Sequence, residues 1–196
     1  MAAKVYLSDL RYNYSGVLAN DCMPLGVAYM KAVMDREEPQ IQSRLFVYPD
    51  RLLEALRSDP PDALMVSNYC WNEALSLQFG KLAKSIRPDM LVVMGGPNIS
   101  IEPERQIEYL ARHPQIDVYV LGEGDFLAAE IVRQYLDAGK SLRRLRERTL
   151  PSALYWNSDG EVVRNSMWAR RKEVDEIPSP WLTGSRTSFL TANSRP

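Results

Sequence analysis

The sequence is poor in the side chains that most often carry out acid–base and covalent chemistry. Among 196 residues there are one histidine, His113, and two cysteines, Cys22 and Cys70. Two thiols cannot build a disulfide framework, and neither stands in a CxxC or His-rich spacing that would hold a metal, so no metal ligands are assigned. His113 falls in ARHPQ at an expected helix end, where a solvated imidazole near the C-terminus is a more economical reading than a ligand or base. No Ser-His-Asp or Cys-His arrangement is available for nucleophilic catalysis, so no catalytic residue is assigned. Neither a P-loop nor a GxGxxG follows the first strand. No apolar run nears the roughly 20 residues that span a bilayer, which argues against a membrane partner. The opening MAAKVYLSDL has no signal-peptide core, and the expected setting is cytoplasmic. A formal net charge of −1 provides no basic field for nucleic acid.

What the chain has instead is alternation. Residues 4–8 (KVYLS) read as a strand, followed by a long polar and aromatic loop, 9–22. Pro24 then opens a helix, PLGVAYMKAVMDRE; proline suits a first turn because its missing N–H would be unpaired anyway. Strands follow at 41–48, 62–67, 90–94 and 117–121, and helices at 50–57, 72–86, 104–112 and 126–136. Strands apolar on both faces, alternating with helices, predict a doubly wound α/β domain: a five-stranded parallel sheet of Rossmann or flavodoxin type over residues 1–140. Beyond it, 153–156 and 161–164 flank a Ser-Asp-Gly turn and read as a small β-hairpin. The two prolines of DEIPSPWLTG then read as an extended strap, so residues 141–184 are expected to be hairpin and linker.

The stretch VVMGGPNIS, 92–100, is unusual in running an apolar strand directly into two glycines. Paired glycines at a strand end point to close approach of something to the backbone, although a tight ligand-free loop would use the same residues. In a doubly wound sheet, ligands lie beyond the carboxyl ends of the strands. The loops that fall there carry Ser67, Asn68, Tyr69, Trp71 and Asn72 after the third strand, Gly95, Gly96, Pro97 and Asn98 after the fourth, and Gly122, Glu123 and Gly124 after the fifth. With Tyr12 and Tyr14 of the first loop, they offer aromatic walls, small hydrogen-bonding groups and exposed backbone, a set suited to a large, partly flat organic ligand. Glu123 is open to two readings, a general base or, more simply, a local cap and dipole partner at a helix start.

In their order and spacing, SNYCWN, VVMGGPNIS, DVYVLGEGD, the hairpin LPSALYWNSDGEVV and the strap DEIPSPWLTG resemble the N-terminal cobalamin-binding domain of cobalamin-dependent radical SAM proteins. The resemblance covers residues 4–184. It implies that cobalamin is the cofactor and that its nucleotide tail enters beside the sheet edge, with Gly95 and Gly96 leaving room for it. Ser67 and Asn98 would hydrogen-bond to the tail. The corrin would lie over the first loop (Asp9, Leu10, Arg11, Tyr12, Asn13, Tyr14) and the helix start at Pro24, Leu25 and Gly26.

Two departures from the wider cobalamin families qualify the resemblance. Methionine synthase and the mutases carry an Asp-x-His-x-x-Gly motif whose histidine ligates cobalt; here the place reads Asp9-Leu10-Arg11-Tyr12-Asn13-Tyr14. Arginine stays protonated and cannot ligate as a neutral donor. Cobalamin is therefore expected base-off, without a protein histidine, as in many radical SAM relatives. The CxxxCxxC that would hold an iron–sulfur cluster for S-adenosylmethionine is also absent. It would follow the strap, so the chain is expected to be a truncated module whose partner is its own radical SAM domain, not catalytic alone. It is also expected to be open to self-association through an uncovered edge. The parent is expected to be a methyltransferase or related enzyme. Residues 185–196 (SRTSFLTANSRP) are atypical of the family and are expected to be a frameshifted or artificial tail. The competing assignment is a flavodoxin-like or receiver-like signalling domain that binds no corrin; it would want a Ser/Thr-rich phosphate loop or clustered acids after the first strand.

Overall fold

The computed structural model describes residues 3–11, 13–14, 17–18 and 23–183. Tyr12, Cys22, the side chains of Asn13 and Tyr14, Gly184 and the tail 185–196 lie outside the described residues. The chain runs β1 (Ala3–Ser8), β2 (Asn13–Tyr14), β3 (Val17–Leu18), α1 (Leu25–Glu37), β4 (Ile41–Phe46), α2 (Pro49–Ser58) and β5 (Ala63–Ser67). It continues with α3 (Glu73–Ile86), β6 (Leu91–Gly95), α4 (Pro103–Arg112), β7 (Val118–Val120), α5 (Asp125–Asp137), α6 (Leu142–Arg146), β8 (Ala153–Trp156) and β9 (Val162–Arg164).

Main-sheet order is β4-β1-β5-β6-β7-β8-β9. The first five of these pair in parallel and the last two antiparallel. The chain leaves β1 through α1 towards β4, then crosses back through α2 to β5 on the other side of β1. Strand order thus reverses between β1 and β5, and a crevice opens there at the carboxyl edge.

The period of two along each strand sorts the core into two layers. Val5, Leu7, Met65, Val93 and Val118 face Val33 and Met34 of α1 and Ile131 and Tyr135 of α5. Tyr6, Leu64, Val92, Met94 and Tyr119 face Leu52 and Leu56 of α2, Phe79 of α3 and Leu110 of α4. Since both faces are covered, these strands have almost no polar positions.

The hairpin is not the separate appendage expected from its turn. It extends the sheet to seven strands, with Val118 opposite Tyr155 and Val120 opposite Ala153. The physical reason is the edge of β7, whose unpaired backbone groups would otherwise face water. Ala153, Leu154 and Tyr155 are buried by this pairing, and the Trp156 indole N–H donates to Ile116 O at 3.1 Å. The short helix α6 was also not anticipated by the sequence pattern, and β4 ends at Phe46 rather than Tyr48.

The amino ends of the strands carry the charged anchors. Asp62 accepts from Lys4 N (3.0 Å), Arg87 Nη2 (3.1 Å) and Lys140 Nζ (2.9 Å). Burial alone would raise its pKa, but these donors outweigh it and hold the carboxyl below its ordinary value. Asp117, just before β7, accepts from Val92 N at 2.8 Å and from Lys84 Nζ. Here burial dominates and pushes the carboxyl up against the pull of Lys84. Both anchors lie at the edge opposite the crevice, so one end of the sheet is fastened while the other is left open.

Candidate functional site

The carboxyl ends of β1, β5, β6 and β7 open into one cleft of about 1220 Å³. On the α1/α5 face it reaches between helices and sheet as an apolar slot lined by Val27, Met30, Met65, Val93, Val120 and Leu127. Across the sheet edge it continues to Ser100, Gln106 and Arg164.

Asp9 supplies the polar floor. It is 8% exposed and lines the cleft. Its Oδ1 accepts from Ser67 Oγ at 2.8 Å and from Asn72 Nδ2 at 2.9 Å. Asn72 Nδ2 also donates to Ser67 Oγ at 2.8 Å, and Asn72 Oδ1 accepts from Tyr69 N at 2.9 Å. Asn72 stands just ahead of α3, and this use of its amide fixes the turn 69–72 as well as the carboxylate. Burial pushes the Asp9 carboxyl up; the bonds from Ser67 and Asn72 and the charge of Arg11 oppose that without reversing it. Arg11 itself is 7% exposed, and its Nε and Nη2 have no hydrogen-bond partner among the described residues.

Tyr69 and Trp71 form a stacked pair, ring centroids 4.5 Å apart and planes within 6°. Both line the cleft, and the Trp71 indole nitrogen is buried without a partner among the described residues. A buried indole N–H normally finds an acceptor. The pair gives this site a flat wall, and the indole donor within it is satisfied by no described residue.

The loop after β6 is held from behind. The buried Asn68 amide donates to Asn98 O at 2.9 Å and Tyr119 Oη at 3.0 Å, and its Oδ1 accepts from Asn98 Nδ2 at 3.2 Å. Tyr119 Oη in turn donates to Gly96 O at 2.8 Å. Burial drives the Tyr119 and Tyr109 hydroxyls upward, so both remain neutral donors. Gly96 has φ +135°, and a Cβ there would lie 2.5 Å from Asn68 O. The second glycine is therefore required by the neighbouring backbone, whatever occupies the cleft it also lines. Gly95 differs: its Cβ would meet Val120 Cβ at 3.4 Å, an ordinary contact, and the residue lines the cleft.

The structure brings Asp9, Pro24, Leu25, Gly26, Ser67, Tyr69, Trp71, Gly95, Gly96, Pro97, Gly122, Glu123 and Gly124 to this one cleft. Leu10 instead belongs to the core beneath α2 and α3, Asn68 is buried, and Asn98 is engaged by Asn68. Arg11 is buried beside Asp9, and Asn72 reaches the cleft only through Asp9 and Ser67. Tyr12 and the side chains of Asn13 and Tyr14 fall outside the described residues; the backbone of Asn13–Tyr14 pairs antiparallel with Val17–Leu18. Glu123 accepts from Arg171 N at 3.2 Å, an interaction no sequence reading anticipated. His113 caps the far end of α4, its Nδ1 2.7 Å from Tyr109 O. Sequence reasoning missed the slot residues Met30 and Val93, hidden among core positions. It also missed Met167, Trp168 and Arg171; two large apolar residues beside charged ARRKE were the available signal.

A family model described as the B12 binding domain matches residues 14–132. The 2-(S-pantetheinyl)-carbapenam-3-carboxylate methyltransferase of Streptantibioticus cattleyicolor is 34% identical over 189 residues, covering 90% of this chain and 25% of that protein. The cobalamin-dependent radical SAM methyltransferase TokK of Streptomyces tokunonensis is 31% identical over 132 residues, 63% of this chain and 17% of its own length. The chain thus spans about a quarter or less of these two curated relatives. The solved structure of the cobalamin-dependent S-adenosylmethionine radical enzyme OxsB, with aqua-cobalamin and S-adenosylmethionine bound, superposes with a TM-score of 0.64. It covers 95% of this chain and 25% of that one at 17% identity, a likeness of fold. A receiver or flavodoxin assignment gives way to these matches, and the chain belongs to the B12-binding domain family, related to cobalamin-dependent radical SAM methyltransferases.

Proposed function

We propose that this chain is a cobalamin-holding module that serves a radical SAM methyltransferase or a close relative of one, and that it is not catalytic alone. The observation that carries the reading is the single cleft at the strand-order reversal. Its volume of about 1220 Å³ exceeds the roughly 300–1,000 Å³ of ordinary small-molecule pockets. An apolar slot for a heterocyclic tail, a flat Tyr69–Trp71 wall and the polar floor of Asp9 and Ser67 fit a large ring system fringed with amides.

Cobalamin, when bound, supplies a cobalt centre able to carry a methyl group. The residues here would hold and orient it. Val27, Met30 and Leu127 would take the tail, while Ser67 and Asp9 present a fixed polar floor. Tyr69, Trp71, Pro24, Leu25 and Gly26 would border the corrin, with Gly122, Glu123 and Gly124 at its rim. The sole histidine follows α4 at the opposite edge of the sheet, which supports a cofactor without a protein imidazole, and the apolar slot supports a tail displaced from cobalt, base-off. A four-iron cluster of the radical SAM kind needs three thiolates and the chain has two cysteines, so the cluster and S-adenosylmethionine would belong to a separate domain. The relatives' greater length supports that pairing.

The test is retention. Purified protein mixed with hydroxocobalamin and desalted should keep corrin absorption at about one equivalent; a colourless protein peak would refute the reading.

A further inference from the structure

The family match ends at residue 132, yet the outer wall of the cleft is built from residues beyond it. After β9 the chain crosses the cleft mouth, and its course is fixed at several points. Trp168 N donates to Ser152 Oγ. Arg171 N donates to Glu123 Oε2 at 3.2 Å, in the loop that starts α5. The Arg171 guanidinium lies 3.7 Å from the Phe126 ring centroid and pairs with Glu176. Arg36, on α1, donates to Glu176 O at 2.6 Å. The crossing segment is thereby tied to both helices that flank the apolar slot.

Between these ties, Met167 and Trp168 line the cleft while remaining 58% and 50% exposed. A plain linker has no use for two large apolar side chains held at a pocket mouth, and such surfaces mark places that another molecule covers. Methionine and tryptophan are also well suited to a flat, polarisable partner, the first by adaptability and the second by its broad face. Most of the fastenings involve a charged group that is partly exposed, the kind of contact that solvent and salt weaken.

We propose that residues 165–177 are the outer wall of the ligand site: Met167 and Trp168 contact a bound corrin, and the Arg171 side chain latches the segment by lying on Phe126 and by pairing with Glu176, whose backbone is held by Arg36 of α1. The proposal rests on the cobalamin reading above, and its test separates the two.

The probe is hydroxocobalamin, added to saturation to the full chain. Tryptic cleavage after Arg170, Arg171 and Lys172 should slow at least fivefold, while cleavage in α6, which lies next to the opposite edge, should not change. Trp168→Ala and Arg171→Gln should each speed cobalamin dissociation at least tenfold. Raising salt should accelerate dissociation from the unsubstituted chain more than from Arg171→Gln, because screening weakens only a latch that is present. Cofactor retention with an unprotected segment, or with unchanged dissociation from both variants, overturns this proposal alone. Failure of the unsubstituted chain to retain cobalamin overturns the functional reading and this proposal with it.

Discussion

A side chain at Gly96 would place its Cβ 2.5 Å from the carbonyl oxygen of Asn68, across the gap between two neighbouring strand ends. The adjacent Gly95 has no such conflict and borders the cleft. The two glycines of one motif therefore answer to different constraints, one from the fold and one open to a ligand.

Substitution should separate them. Gly96→Ala should destabilise the protein by on the order of 1–3 kcal/mol from backbone strain alone, with the clash added. Gly95→Val should leave the denaturation midpoint close to the original but weaken hydroxocobalamin binding at least tenfold, because its side chain projects from the same face as Val93, which lines the slot. Urea unfolding and an absorbance titration on both variants decide the matter. Equal stability of Gly96→Ala and the unsubstituted chain would show that the loop yields.

Much of this architecture is legible from sequence because it is local. Leu91, Val92, Val93 and Met94 are apolar in succession, and only a strand covered on both faces uses such a run. The loops that meet at the cleft follow from strand direction alone. What could not be read is non-local. The pairing of Ala153 with Val120 depends on a free edge left by β7, and the constraint on Gly96 comes from a backbone 28 positions earlier. The crossing segment looked like linker because its partners, Glu123, Phe126 and Arg36, are far away in sequence.

Asp9 gives the cleft a pH signature. Its folded pKa is raised by burial, so the ionised form is the one that folding disfavours. That cost is absent below the unfolded value of about 4 and fully present above the folded value. Asp9→Asn keeps an oxygen for Ser67 and Asn72 while removing the charge. The variant should be more stable than the parent at pH 8, and its advantage should vanish as pH falls through the raised folded pKa towards the unfolded one. Urea midpoints at pH 4, 6 and 8 test this. A variant less stable at every pH would mean that the carboxylate is needed where it stands, as the countercharge of Arg11.

At the opposite edge, Lys84 is the principal countercharge of buried Asp117, with Arg146 Nη2 more distant at 3.8 Å. Lys84→Met should cost about 3 kcal/mol at neutral pH, the lower end for breaking a buried pair, because Arg146 remains. The loss should shrink as pH falls and Asp117 takes up a proton, since burial already raises its folded pKa. Cobalamin affinity, measured under conditions where the variant is folded, should be unchanged. A change in affinity would mean that the fastened edge and the open edge are coupled.

The last expectation concerns cobalt. The one imidazole in the chain caps α4 at the end remote from the cleft. Gln106 of α4 lines the cleft and His113 lies seven residues further along. At 1.5 Å per residue that is about 10 Å of helix, directed towards the amino ends of the strands. His113 Nδ1 is also occupied by Tyr109 O. No histidine of this chain can then reach a corrin seated over Asp9 and Tyr69. Reduced to Co(II), the bound cofactor should give a paramagnetic resonance spectrum without strong axial nitrogen splitting, and His113→Ala should leave that spectrum and the affinity unaltered. Splitting that disappears in His113→Ala would place the imidazole on cobalt and contradict the fold as described. Splitting that persists in the variant would show the cofactor's own base still bound, contradicting the base-off expectation.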